Sequence, residues 1–215
     1  MSAEYETIAG AADAELEISR SRFIARLERV EHEEQAREVI ARARAEHPRA
    51  RHHCSAFVIG PDARVQRSND DGEPSGTAGA PMLDALVSAG LSDVVAVVTR
   101  YFGGVLLGAG GLTRAYRSAV AEAVLHAPRV RRGMRCEVAV TSSYETAPQI
   151  EAEARRRGYA VGAADYSDRV RRIFAVAEEQ VDALEALAAE ASAGTAQVVS
   201  GAPEYVDLPV DRGQR

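Results

Sequence analysis

With 215 residues, 46% of them hydrophobic and 27% charged, the chain has the composition of a globular protein able to bury one large core or two modest ones, which excludes disorder as the default. A formal charge of −6 excludes a protein that coats nucleic acid nonspecifically, since that mode needs a basic surface to displace counterions. All 26 basic residues are arginine, so chemistry that requires a lysine is excluded too.

The charge is unevenly spread. Residues 129 to 172 hold ten arginines against six acids and form a basic island, while the segments on either side are net acidic. The longest apolar runs, such as VVAVV at 94 to 98, fall well short of the roughly 20 residues that span a bilayer, so no membrane partner is expected. The opening MSAEYETIAG has neither a basic leader nor an apolar core, and a cytoplasmic location is the expectation. Two cysteines, Cys54 and Cys136, make no disulfide framework and are expected as reduced thiols.

In chain order, a short strand is expected near Tyr5 to Ile8, and residues 14 to 18 and 22 to 30 alternate apolar and polar side chains as half-buried strands do. From Glu33 to His47 the period changes. Ala36, Val39, Ile40 and Ala43 fall on one helical face, with Glu33 to Arg37 and Glu38 to Arg42 spaced as ion pairs on the other, until Pro48 stops the helix. CSAFVIG at 54 to 60 reads as a strand with a short extension near Val65, and residues 93 to 99 read as a central strand covered on both faces. A helix is expected around 80 to 89. A longer one follows the glycine segment 103 to 111, with Leu112, Ala115, Tyr116, Ala119, Val120, Ala123 and Val124 on its buried side.

HAPRVRRG at 126 to 133 is the expected boundary and hinge between a first domain at 1–128 and a second at 134–208. The second alternates strand 134 to 141, helix 145 to 157, strands 159 to 165 and 169 to 176, helix 179 to 193 and strand 195 to 200, with a loose tail after Leu208. The order βαββαβ is that of a ferredoxin-like sandwich, and the chain as a whole is α+β.

Chemistry-bearing residues gather in the first domain. SNDDGEPSGTAGAP at 68 to 81 precedes one helix and GGVLLGAGG at 103 to 111 precedes another. Each loop is either a tight turn or an anion site, because helix N-termini present free N–H groups and glycine allows close approach. Arg51, Arg100 and Arg114 flank them, while Asp70, Asp71 and Glu73 would repel phosphate unless they face away or hold a divalent cation. Ser75 or Thr77 is expected to cap the first of these helices. A nucleotide P-loop is excluded, because Ala109 stands where that motif needs lysine. RHHC at 51 to 54 reads as a metal site, a thiol–imidazole dyad or polar residues opening a strand. Alternation puts His52 and Cys54 on one face and His53 on the other, which favours the last. No metal or other cofactor is expected. Arg155, Arg156 and Arg157 at a helix end, with Arg169, Arg171 and Arg172 on a strand, either complement a helix dipole or form a nucleic-acid surface.

Three segments in this order, RHHCSAFVIG, SNDDGEPSGTAGAPML and VVTRYFGGVLLGAGGLTRAY, closely resemble the signature of the IMPACT/YigZ family over about residues 14 to 125. The resemblance implies a first domain with the split β-α-β fold of elongation factor G's fourth domain, followed by a ferredoxin-like domain similar to that factor's fifth. It marks Arg51, His52, His53, Cys54, Asp70, Asp71, Gly72, Glu73, Pro74, Gly76, Thr77, Gly79, Arg100, Tyr101, Gly103, Gly104, Gly108, Gly110, Gly111 and Leu112 as a functional face with no catalytic role assigned. The resemblance also implies a link to translation, since eukaryotic relatives regulate it, but they carry a different N-terminal domain, so their particular partner does not transfer. The expected function is translation-associated binding of RNA, ribosome or a translation factor, through the glycine-loop face with Arg114 and through the arginines of the second domain. The alternatives are a metal-dependent hydrolase using Asp70, Asp71 and Glu73, and a protein-interaction adaptor.

Overall fold

A computed structural model describes residues 4–208, and their contacts divide the chain into two compact units, residues 4–131 and residues 132–208. The loose tail expected after Leu208 lies outside the described residues.

The first unit opens with β1 (Tyr5–Ile8), which pairs with β7 (Arg129–Ser142), whose first three residues belong to the same unit. Its main sheet runs β2 (Ala12–Ile18), β3 (Ser21–Arg29), β6 (Val94–Tyr101), β4 (His52–Ile59) and β5 (Val65–Asn69). β3 and β4 are each antiparallel to β6 and lie on opposite sides of it, so they run parallel to one another. Helix α1 (Glu33–Glu46) connects them. A β-α-β unit whose two strands are split by an inserted third is the architecture that follows.

The pleat explains the layering. Phe57, Ile59, Val95 and Val97 point to one side and meet Ala36, Val39 and Ala43 of α1. Cys54, Ala56, Val58, Val94, Ala96 and Val98 point to the other and meet α2 (Gly79–Ser88) and α3 (Gly108–His126). β6 is thus buried on both faces, as its unbroken apolar run requires. Tyr116, Ala119, Val120 and Ala123 of α3 are fully buried, and each large side chain so removed from water contributes roughly 1.5–3 kcal/mol.

The second unit contains α4 (Ala147–Arg156), β8 (Ala160–Tyr166), β9 (Val170–Val176), a 3-10 turn at Glu178–Gln180, α5 (Val181–Ala191) and β10 (Gln197–Leu208). With β7 these strands form a sheet in the order β10, β7, β9, β8, the ferredoxin-like arrangement. Val138, Val140, Phe174 and Val176 turn toward Ile150, Ala154, Leu184 and Leu187 of the two helices. β10 is longer than its apolar start suggests, continuing through Gly201 and Pro203 to Leu208. The division between the two units falls between Arg131 and Arg132, inside the boundary segment expected at 126 to 133. The backbone there is not an open loop: α3 ends at His126, Pro128 precedes β7, and residues 129 to 133 run within that strand, so the N–H that proline lacks falls before the ladder begins.

Candidate functional site

The two glycine segments come together at one end of the first unit's sheet. β6 finishes there at Tyr101 while β4 begins at His52, opposite Arg100, and β3 begins beside it with Arg22 opposite Tyr101. The β2–β3 turn, the α1–β4 connection, the loop leading to α2 and the loop leading to α3 therefore share this end.

A buried polar knot joins them. Arg100 donates to Glu73 Oε1 at 2.7 Å, the two side chains being 7% and 4% exposed. The Tyr116 hydroxyl of α3 donates to the same oxygen at 2.7 Å. Arg100 also donates to Ser21 Oγ at 3.3 Å, an oxygen that accepts the Gly103 amide at 3.2 Å. The guanidinium lies 5.4 Å from the Phe23 ring centroid and 5.6 Å from that of Phe102. One ion pair thus ties the carboxylate-rich loop to β6, α3 and the β2–β3 turn. Burial pushes the Tyr116 hydroxyl's pKa up, and the neighbouring thiol and carboxylate add to it.

Each carboxylate of the first loop is committed separately. Asp70 accepts the amides of Gly76 at 2.8 Å, Ala78 at 3.0 Å and Gly79 at 2.8 Å. Burial pushes its carboxyl up, but the three amides outweigh this and leave it below the usual carboxylate range. The anion at the start of α2 is therefore the protein's own. The cap expected from Ser75 or Thr77 is not made, because the Thr77 hydroxyl donates to the Pro74 carbonyl at 2.6 Å. Asp71 turns the other way. It accepts the His53 amide at 2.7 Å and the Arg44 guanidinium at 2.5 Å, which overcome the effect of burial and lower its pKa.

The RHHC run divides as strand alternation requires. His52 Nδ1 lies 2.9 Å from the Asp71 carbonyl, while His53 is buried near α1 with Nε2 3.2 Å from the His47 carbonyl. Desolvation is the largest influence on His53 and lowers its pKa. Cys54 is fully buried, donates to the Asp70 carbonyl at 3.0 Å, and has its thiol pushed up to about 12 by burial, so it presents no thiolate near neutral pH. Among the described residues no three His, Cys, Asp or Glu side chains gather where they could hold a metal ion. The three acids on which the hydrolase reading rests have different partners: Asp70 the α2 amides, Asp71 the His53 amide and Arg44, and Glu73 Arg100 and Tyr116.

The glycines serve close packing. A Cβ on Gly103 would lie 2.0 Å from the carbonyl carbon and oxygen of Arg20, and one on Gly79 would lie 2.7 Å from the Asn69 nitrogen. Gly108, Gly110 and Gly111 form the first turn of α3, and Gly104 lies in the loop before it. No side chain caps α3, and no acid stands in its first turn.

Cationic and apolar side chains are prominent on the outward side of this end, where Glu17 and Glu46 are exposed as well. Arg20, Arg49, Arg51 and Arg114 are exposed and make no ion pair among the described residues, whereas every other arginine of this unit is paired with a carboxylate. All four stand at the loop end. Beside them Phe102, Val105 and Leu106 are 53%, 40% and 88% exposed. In the second unit the basic island disperses. Arg155 pairs with Glu151, Arg156 and Arg157 with Glu153, and Arg172 with Glu151. Arg169 donates to the Thr195 carbonyl, and Arg171 lines the sheet face away from the helices.

Sequence reasoning did not identify Ser21, Tyr116 as a polar partner, or Arg20 and Arg49. Tyr116 falls on the apolar stripe of α3 and nothing local distinguishes its hydroxyl. Arg20 sits in a hairpin turn that gains its neighbours only when β6 pairs with β3.

Comparison with known proteins gives a consistent result. Residues 19–124 match the Impact N-terminal domain, and residues 140–195 match a domain of unknown function (DUF1949). The chain is 40% identical over 207 residues to the IMPACT family member YvyE of Bacillus subtilis, covering 96% of this chain and 95% of that protein. It is 39% identical to the IMPACT family member YigZ of Escherichia coli, covering 86% and 91%. A crystal structure of a hypothetical protein superposes with a TM-score of 0.63 at 35% identity, covering 93% of this chain and 98% of that one.

Proposed function

This chain belongs to the IMPACT family, and from that premise we propose that it is a translation-associated RNA-binding protein whose contact surface is the loop end of the first unit's sheet. The observation that supports the reading is the concentration of unpaired arginines there. In a chain of net charge −6, the four exposed arginines of the first unit that make no ion pair among the described residues all lie at this end. A local patch of guanidinium groups suits an RNA backbone while the acidic remainder discourages nonspecific coating. Arginine also serves a polyanion well, since its planar fork takes phosphate oxygens two at a time.

The site binds rather than reacts. Its thiol is buried, its carboxylates are engaged by amides and guanidinium groups, and the Glu73–Arg100–Tyr116 knot holds the loops in register. The arginines of α4 add little, being matched by Glu151 and Glu153 on their own helix, while Arg171 remains as a secondary contact.

The test is co-sedimentation with ribosomes together with titration of ribosomal RNA fragments or tRNA across a salt series. Three to four phosphate contacts predict a loss of affinity of about tenfold or more between roughly 50 and 200 mM salt. Charge reversal at Arg51→Glu and Arg114→Glu should remove most of the binding and flatten the salt dependence. Binding that ignores salt and both substitutions refutes the assignment, and binding that survives nuclease treatment transfers it to a protein partner.

A further inference from the structure

A cavity of about 400 Å³ lies between the β2–β3 turn and the first turns of α3, lined by Ile18, Leu107 and Ala115, with Leu106, Ser19, Ser118 and Arg114 among its other walls. We propose that it receives one unstacked nucleotide of a single-stranded RNA, the base entering between the aliphatic side chains and its phosphate meeting Arg114. This rests on the RNA-binding reading above and adds the form of the ligand: a single strand with an accessible base, not a duplex.

Four features of the cavity carry the inference. Its volume suits a nucleoside monophosphate and exceeds what one aliphatic side chain of a docked peptide would fill. Its apolar walls accept the face of a base, and every base has such a face, which makes the slot tolerant of sequence. Ser19 and Ser118 offer hydroxyls that both donate and accept, as the edge of a base requires. Arg114 is the cavity's sole ionisable lining residue, so no carboxylate opposes a phosphate. The second unpaired cation, Arg20, directly follows Ser19 in the turn at the rim, where the next phosphate of the strand would pass. A duplex cannot use this arrangement, because its bases are stacked and paired. Leu106, 88% exposed, is explained by the same reading: it forms one wall of the cavity as an aliphatic surface on which the base can rest.

The experiment uses the full chain, an eight-residue single-stranded RNA carrying one 2-aminopurine, and the same RNA with that position abasic. Entry of the base should change the 2-aminopurine emission on binding, and the abasic strand should bind about tenfold more weakly. Ser118→Tyr, placed at an exposed rim position so that the core is untouched, should abolish the emission change and bring the intact strand down to the abasic affinity. Arg114→Glu should weaken both strands. If abasic and intact strands bind equally, with the salt dependence intact, the loop end binds RNA and the cavity does not. If a duplex of equal length binds as tightly as the single strand, the inference likewise fails. If neither RNA binds, or an acidic peptide displaces the strand while single nucleotides do not, the cavity inference falls together with the RNA-binding reading.

Discussion

Replacing Glu73 with alanine tests the account of how the loop end is held. Glu73 Oε1 accepts both Arg100 and Tyr116, each at 2.7 Å, and both charged side chains are less than a tenth exposed. Removing the carboxylate leaves a buried guanidinium without its counter-charge, which costs about 3–5 kcal/mol. It also strips the Tyr116 hydroxyl of its acceptor, worth about 1–3 kcal/mol for a buried donor. The two losses share one oxygen and do not simply add, so a destabilisation of about 4 kcal/mol is expected, a large fraction of the roughly 5–15 kcal/mol that holds a typical domain folded. Replacing both partners, Glu73→Leu with Arg100→Met, should recover most of it, since an apolar pair of similar volume avoids burying a lone charge. Native-state hydrogen exchange on peptides covering β4 and β6 reports this unit separately from the other, and urea melts supply the midpoint shift. A loss below about 1 kcal/mol for the single variant, or a double variant no better than the single one, would refute the claim that this pair positions the loops.

Gly103→Ala places a methyl group 2.0 Å from the Arg20 carbonyl and should lower stability by about 2 kcal/mol or more through strain where two backbones meet, read as a shift of the urea midpoint; an unchanged midpoint means that the turn moves aside freely. Asp70→Asn should flatten the acid limb of the stability profile. The amides of Gly76, Ala78 and Gly79 outweigh burial and depress the Asp70 pKa, so its stabilising contribution is present above the unfolded carboxylate value of about 4 and is lost as pH falls through the lower folded value. A wild-type protein whose stability between about pH 4 and 2 falls no faster than that of the variant contradicts the assignment.

Elements with a long period were readable from residues alone. The stripe from Leu112 to Val124 specifies α3, the run Val94–Val98 specifies a strand covered twice, and the alternation of His52, His53 and Cys54 places them on opposite faces as observed. The polar partners were not readable, for a physical reason. Glu73 meets Arg100 across 27 positions, Ser21 meets Arg100 across 79, and Asp70 captures amides six to nine residues on. Such pairs depend on tertiary register, whereas Ser75 and Thr77 compete for the capping role on local grounds alone. The segment at 126 to 133 shows the same limit in part: its proline, glycine and arginine run marked the place where the two units divide, between Arg131 and Arg132, but not that Arg129 and Arg131 pair with Glu6 and Glu4 along strand β7.

Because Asp70 satisfies the amides that a bound anion would otherwise have to complete, the loop before α2 reaches its final shape without any visitor. A strand of RNA arriving there would find a surface already set, spending none of its interaction on stiffening the protein. Association should then be limited by encounter and by long-range attraction to the guanidinium groups, with rates that fall as electrolyte is added and with little difference in backbone structure between the unoccupied and occupied protein.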